Sequence, residues 1–164
     1  MPGAIVQINI SRGGLPKRPI PRGLLGPEGL EGDAHGHPSI HGGERKAVLL
    51  IAAEVVDGLA ERGYPVFYGA LGENLTIRGI ALCDLRAGHQ LQAGSAILEI
   101  TQIRVPCSQL DVYGPSLKAD LFDARVKAGD SGSPRWGMSG FYARVLTPGA
   151  VAPGDIIAPV ALRI

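Results

Sequence analysis

The sequence predicts a small β-barrel decorated by a few helices, a mainly β fold, and three observations carry that expectation. The 164 residues include 24 Gly and 13 Pro spread along the whole chain. Both residues punctuate secondary structure and rarely sit inside helices, so short strands joined by turns are favoured. Several runs alternate apolar and polar residues, as half-buried strands do, while only two segments show helical spacing. Short strands that must bury one face, with two helices to cover them, suggest a small barrel.

The elements follow in order. Ala4 to Ile10 (Ala-Ile-Val-Gln-Ile-Asn-Ile) alternates after Val6 and reads as a strand. Ser11 to Pro21 reads as a basic loop rich in Gly and Pro, and Gly23 to Gly43 shows little periodicity and many turn formers. Ala47 to Ile51 is a short apolar run expected to be a buried strand. Ala52 to Arg62 then switches to helical spacing, with Val55, Val56 and Leu59 on one face, and Gly63 provides a stop. Strands are expected at Leu75–Ile77, Gln90–Gln92 and Ser95–Val105, the last of these leading straight into Pro106-Cys107. A second helix is expected over Ser116–Lys127, packing through Leu117, Leu121 and Val126. Phe141–Leu146 and Ile156–Val160 read as closing strands. No linker or internal repeat divides the chain, so residues 1–164 are expected to form a single domain.

Composition excludes some function classes. Sixteen Lys and Arg against 15 Asp and Glu give a net charge of +1, and aromatic residues make up 5% of the chain. Neither a basic footprint nor a stacking platform for nucleic acid is present, and no apolar stretch approaches the ~20 residues of a membrane span. The start of the chain lacks the features of a signal peptide, so a cytoplasmic location is expected, with Cys83 and Cys107 as free thiols.

Cys107 follows Pro106 at the end of an alternating strand. A thiol emerging there, with Arg104 nearby to favour its thiolate, could be reactive; a buried Cys that acts only as a small hydrophobe is the equal alternative. Cys83, beside Leu82, reads as core. His35, His37 and His41 lie close together after Asp33, and could hold zinc with Asp33 or Cys107 as fourth ligand. That spacing matches no standard zinc motif, and one His serving Cys107 as acid or base is an alternative. Gly13-Gly14 and Gly42-Gly43 expose backbone N–H groups near Arg12, Lys17, Arg18, Arg22 and Lys46, which together would suit an anion or phosphate. Glu73 and Asn74 lie between a turn Gly and a strand. Asn74 could cap that turn, and Glu73 could orient a His or a cation.

Taken in order, these segments resemble the MOSC family, the domain named for the C-terminal part of molybdenum cofactor sulfurases. The matching segments are Ser11-Arg12-Gly13-Gly14-Leu15-Pro16-Lys17, Gly29-Leu30-Glu31-Gly32-Asp33, His41-Gly42-Gly43 with Lys46-Ala47-Val48, and Gly72-Glu73-Asn74-Leu75. Pro106-Cys107, Tyr142-Ala143-Arg144-Val145 and Gly154-Asp155 complete the series. The likeness covers about residues 4 to 158 and is greatest to the small, free-standing bacterial branch.

The resemblance implies a closed β-barrel with two or three α-helices and a role in molybdenum cofactor (molybdopterin) chemistry. Cys107 would ligate molybdenum in a reductase of N-hydroxylated compounds or, alternatively, carry sulfur as a persulfide to a metal centre on a partner. Around it His41 and Glu73 are expected as catalytic residues. Lys17, Arg12, Gly42, Gly43, Lys46, Asn74 and Arg104 would be cofactor-binding residues. The implied partners are the pterin, a small-molecule substrate, and an electron-transfer protein or a cysteine desulfurase. Pyridoxal phosphate, found with fused relatives, is not expected here. The Gly-rich stretch from Asp130 to Gly140 is longer than the resemblance leads one to expect.

Overall fold

In a computed structural model, which describes residues 2–34 and 43–161, seven strands close into a barrel. The strands in chain order are β1 (Gly3–Ile10), β2 (Arg18–Ile20), β3 (Gly23–Gly26), β4 (Gly29–Leu30) and β5 (Val48–Ala52). They continue with β6 (Leu75–Arg78), β7 (Gln90–Ala93), β8 (Ala96–Ile103), β9 (Phe141–Thr147), β10 (Gly149–Val151) and β11 (Ile156–Pro159). Around the wall the order is β11-β7-β8-β9-β5-β6-β1, and β1 pairs back onto β11 to close it. Closure removes the open edges that a flat sheet of these apolar strands would present. Among the described residues only the β5–β6 pair is parallel, and it is joined by the helix α1 (Ala53–Glu61). β2 extends the wall beyond β1, and β10, β3 and β4 form a separate small sheet.

Strand alternation divides the apolar side chains between two cores. Ile5, Ile8, Val48, Leu50, Leu91, Leu98, Ile100, Phe141 and Ala143 fill the barrel. Leu49, Ile51 and Tyr142 point the other way and meet α1 and the segment from Leu110 to Leu121. β5 is therefore buried on both faces, which accounts for its unbroken apolar run.

Several expectations require correction. The loops expected over residues 11–21 and 23–43 contain β2, β3 and β4, each only two to four residues long and too short to show a period. The strand expected over residues 95–105 ends at Ile103, leaving Arg104 and Val105 outside it. The helix expected over residues 116–127 is two short helices, α2 (Leu117–Leu121) and α3 (Ala124–Lys127). Phe122 between them is extended, and the Asp123 carboxylate accepts the Val126 N–H at 2.8 Å, starting a new helix. Leu117, Leu121 and Val126 are all buried, as expected. Cys83 is exposed rather than core, because it sits on a 3-10 turn (Leu82–Asp84) that turns it outward.

Candidate functional site

Three polar segments converge on the outer face of the barrel wall, where Leu49 of β5 and Tyr142 of β9 lie opposite each other in register. They enclose a cleft of about 480 Å³, open solvent at its mouth included. Gly14, Leu15, Lys17, Lys46, Gly72, Asn74, Arg104 and Gln109 complete its lining.

Asp33 anchors the loop that forms one side. Its Oδ1 accepts the Ser11 N–H at 2.9 Å, both its oxygens take the Lys17 Nζ at 2.7 Å, and Oδ2 accepts from Asn74 Nδ2 at 2.9 Å. Asp33 is thus committed to the protein's own groups, while the histidines expected to share a zinc ion with it lie outside the described residues. Asn74 is likewise a joint: it also donates to the Asn9 carbonyl and accepts the Leu49 N–H at 3.0 Å. This goes beyond capping one turn, since it ties β1, β5 and the Asp33 loop together at one residue. The Lys17 N–H donates to the Gly69 carbonyl. Gly69 has φ +97°, and a Cβ there would lie 2.2 Å from the Lys17 carbonyl oxygen, so only Gly permits that approach.

Arg104 forms the floor. Its N–H bonds to the Gly140 carbonyl and its carbonyl accepts the Ser139 hydroxyl at 2.6 Å, which prolongs the β8–β9 ladder and fixes the side chain's origin. The residue is 4% exposed, and neither Nε nor Nη1 has a hydrogen-bond partner. Glu73, whose charge Arg104 favours, is fully buried. Its Oε2 accepts the Thr76 hydroxyl at 3.0 Å, while Oε1 makes no hydrogen bond of full geometry. Burial pushes the Glu73 carboxyl above the usual carboxylate range, against the opposing pull of the nearby Gly69 and Glu73 amides, Thr76 and Arg104. The Lys46 Nζ stands 5.4 Å from the centre of the Tyr142 ring. Thr101 pins the turn that carries it by donating to the Arg45 carbonyl at 2.6 Å.

Cys107 is half-buried and opens the 3-10 turn Ser108–Tyr113, two residues before the cleft-lining Gln109. Tyr142 senses the surroundings: burial raises its pKa, Arg104 opposes this, and a Cys107 thiolate adds to it. Cys107, Arg104 and Tyr142 therefore share one electrostatic neighbourhood. Beyond Gln109 the cleft runs into an apolar groove over Pro16, Phe67, Val112 and Tyr113, with Val112 76% exposed and the Arg18 guanidinium 5.5 Å from the Phe67 ring centre.

Of the expected site residues, Lys17, Lys46, Asn74 and Arg104 line the cleft, while Glu73 and Cys107 do not line it and reach it electrostatically, Glu73 through Arg104 and Cys107 through Tyr142. Arg12 is exposed and does not line it, and Gly43 is exposed at the start of the 3-10 turn Glu44–Lys46. His41 and Gly42, like His35 and His37, lie outside the described residues. Among the described residues no group of three His, Cys, Asp or Glu could hold a metal. Tyr142, Gln109, Leu15 and Gly72 are cleft residues that sequence reasoning did not assign to a site. Strand parity could have signalled Tyr142, once β9 was paired with β5.

Comparison with known proteins decides the family: the MOSC domain model matches residues 37–158. The chain belongs to the MOSC domain family. Among curated proteins it is 32% identical over 143 residues to the uncharacterized protein YflK of Bacillus subtilis (strain 168), a match covering 86% of this chain and 60% of YflK. It is 27% identical over 139 residues to the protein YiiM of Escherichia coli (strain K12), covering 80% of this chain and 58% of YiiM. This MOSC chain thus spans about 60% of the length of these curated relatives. Among solved structures, YiiM from Geobacillus stearothermophilus superposes with a TM-score of 0.72 at 30% identity, covering 98% of this chain and 76% of that one. The barrel expected from the resemblance is therefore the fold observed. Among the described residues no helix is long and apolar enough to cross a membrane.

Proposed function

We propose that the cleft holds the phosphate-bearing pterin of a molybdenum cofactor, with Cys107 as the protein ligand to the metal. On this reading the protein reduces N-hydroxylated compounds. The observation that carries it is Arg104: a guanidinium buried in a cleft wall with two unpartnered N–H sites. Such a group is costly unless an anion completes it.

The donor set fits the cofactor. Arg104 and Lys46 supply positive charge, and Lys17 has its ammonium bonded to Asp33 and contributes its stem and shape. Gly72, at φ +90°, keeps its wall free of a side chain that would meet Leu15 Cδ2 at 2.7 Å. Leu15, Leu49 and Tyr142 provide the apolar walls that exclude water and strengthen the charge interactions. Cys107 offers a thiolate, a soft ligand suited to such a metal, and gives up its proton on ligation. When bound, the cofactor supplies the redox couple that converts R–NH–OH, with two electrons and two protons, into R–NH2 and water. The electrons would come from a separate electron-transfer protein.

The test uses the full chain purified from a cofactor-replete host, supplied with a reduced dye and an N-hydroxylated amidine. Reduction to the amidine, lost in Cys107→Ala, is the expected result. Protein that carries molybdenum and pterin yet reduces no N-hydroxylated compound would overturn the reductase assignment.

A second reading rests on the half-exposure of Cys107 and the 65% exposure of Val105, two residues before it, which leave the thiol reachable by a partner. Here Cys107 carries a persulfide to a metal centre elsewhere. Incubation with a cysteine desulfurase and its substrate would then add one sulfur atom to the mass of wild type and none to Cys107→Ala. An unchanged wild-type mass excludes this role.

A further inference from the structure

We propose that Glu73 is the charge-balancing residue of the anion cleft: it takes up a proton when an oxyanion sits against Arg104. The inference rests on reading the cleft as an anion site, and deepens it by naming a proton that travels with the anion.

Glu73 is fully buried and Arg104 is 4% exposed. Each keeps at least one polar atom without a hydrogen bond, namely Oε1 of Glu73 and Nε and Nη1 of Arg104. No ion pair joins them among the described residues, yet Arg104 favours the Glu73 carboxylate electrostatically. Among the described residues, the other titratable group that bears on Glu73 is the Tyr113 hydroxyl, which donates to the Ala70 carbonyl at 2.6 Å. Among the described residues, the counter-charge seen for Arg104 in the empty cleft is the Glu73 carboxyl, whose anionic form burial disfavours. An oxyanion bound to Arg104 replaces that counter-charge and repels the carboxylate. Taking up one proton from solvent removes the repulsion and leaves Arg104 and the anion as the neutral pair. Thr76 is the one side chain whose hydroxyl donates to the carboxylate, and so opposes the uptake.

Linkage fixes the sign. If binding takes up a proton, anion affinity falls as pH rises through the Glu73 pKa of the empty cleft, by up to about tenfold per pH unit.

Sulfate is the probe, because it keeps both charges from pH 5 to 8, a range of about three units. Calorimetry of the cofactor-free full chain with sulfate, in two buffers of different ionisation enthalpy, reads the protons taken up. Infrared difference spectra read the carbonyl band of a protonated carboxylic acid, which protonation of a His does not produce. The expected result is uptake of up to one proton with appearance of that band, both absent in Glu73→Gln, which binds sulfate with an affinity independent of pH. Thr76→Val should shift the pH midpoint of uptake upward, and gives a second variant should Glu73→Gln fold poorly. Sulfate binding without the carboxylic-acid band overturns the inference and leaves the cofactor reading intact. Failure of sulfate to bind overturns both, since the cleft is then not an anion site.

Discussion

Replacing Arg104 with Met should make the protein more stable and unable to bind anions. Met has a similar length and no polar atom to satisfy, whereas Arg104 holds two N–H sites in a cleft wall without partners. A buried unsatisfied polar group costs about 1–3 kcal/mol, and more if charged. The opposing loss is the attraction between Arg104 and Glu73, which the substitution removes. Glu73 can answer by protonating, because burial already raises its pKa, so that loss is small. Exchanging buried charges for apolar side chains of similar volume is often worth about 1–4 kcal/mol. We expect a net gain of about 1–3 kcal/mol in urea unfolding of cofactor-free protein in buffer lacking phosphate and sulfate. For a chain of this size that is a rise in Tm of roughly 2–4 °C per kcal/mol. Added sulfate at a hundred times its Kd should stabilise wild type by about 2.7 kcal/mol and the variant not at all. A variant less stable than wild type by more than about 1 kcal/mol would refute the reasoning, because Arg104 would then be a structural residue already satisfied by the fold.

Other expectations follow from the same contacts. A raised Glu73 pKa means that the folded state holds a proton which the unfolded chain has released, so stability falls as pH rises from the ordinary Glu value toward the raised one. Urea unfolding of wild type and Glu73→Gln from pH 4 upward should show the variant gaining on wild type across that range, and a constant difference would contradict it. The Lys17–Asp33 pair, with side chains 9% and 2% exposed and 2.7 Å apart, should show a coupling of about 3 kcal/mol in a Lys17→Met, Asp33→Asn double-mutant cycle. A coupling below about 1 kcal/mol would make it equivalent to a surface pair. Gly69→Ala should cost at least about 3 kcal/mol in the same assay, since it combines a positive φ with a Cβ 2.2 Å from a backbone oxygen.

Much of the barrel was legible because its long strands alternate. β1 and β8, eight residues each, have one face in the barrel core, and β5 reads as apolar throughout because the helices cover its other face. β2, β3, β4 and β10 escaped because two to four residues hold no period, and their pairing is decided by distant partners such as Leu25 with Gly149. The break at Phe122 hides inside a helical pattern, since Leu117, Leu121 and Val126 all reach the same core from two helices. Its one local sign is Asp123, a side chain suited to starting a helix. Cys83 was misread because its apolar neighbours say nothing about which way a 3-10 turn faces.

The site was legible to a similar depth. Charged and Gly-rich segments pointed to an anion cradle, and Lys17, Lys46 and Arg104 do converge. The sequence does not reveal that Asp33 neutralises Lys17, which leaves Arg104 as a buried cation of the cleft with unpartnered nitrogens. Nor does it show that Tyr142 faces out of the barrel, since that depends on the register with Leu49.

The most direct test of the account is the molybdenum and pterin content of freshly purified full-length chain from a cofactor-replete host, for wild type, Cys107→Ala and Arg104→Met side by side. The account predicts molybdenum and pterin together in wild type, pterin without retained molybdenum in Cys107→Ala, and neither in a folded Arg104→Met. Folded wild type carrying neither, or Arg104→Met retaining as much pterin as wild type, would contradict it.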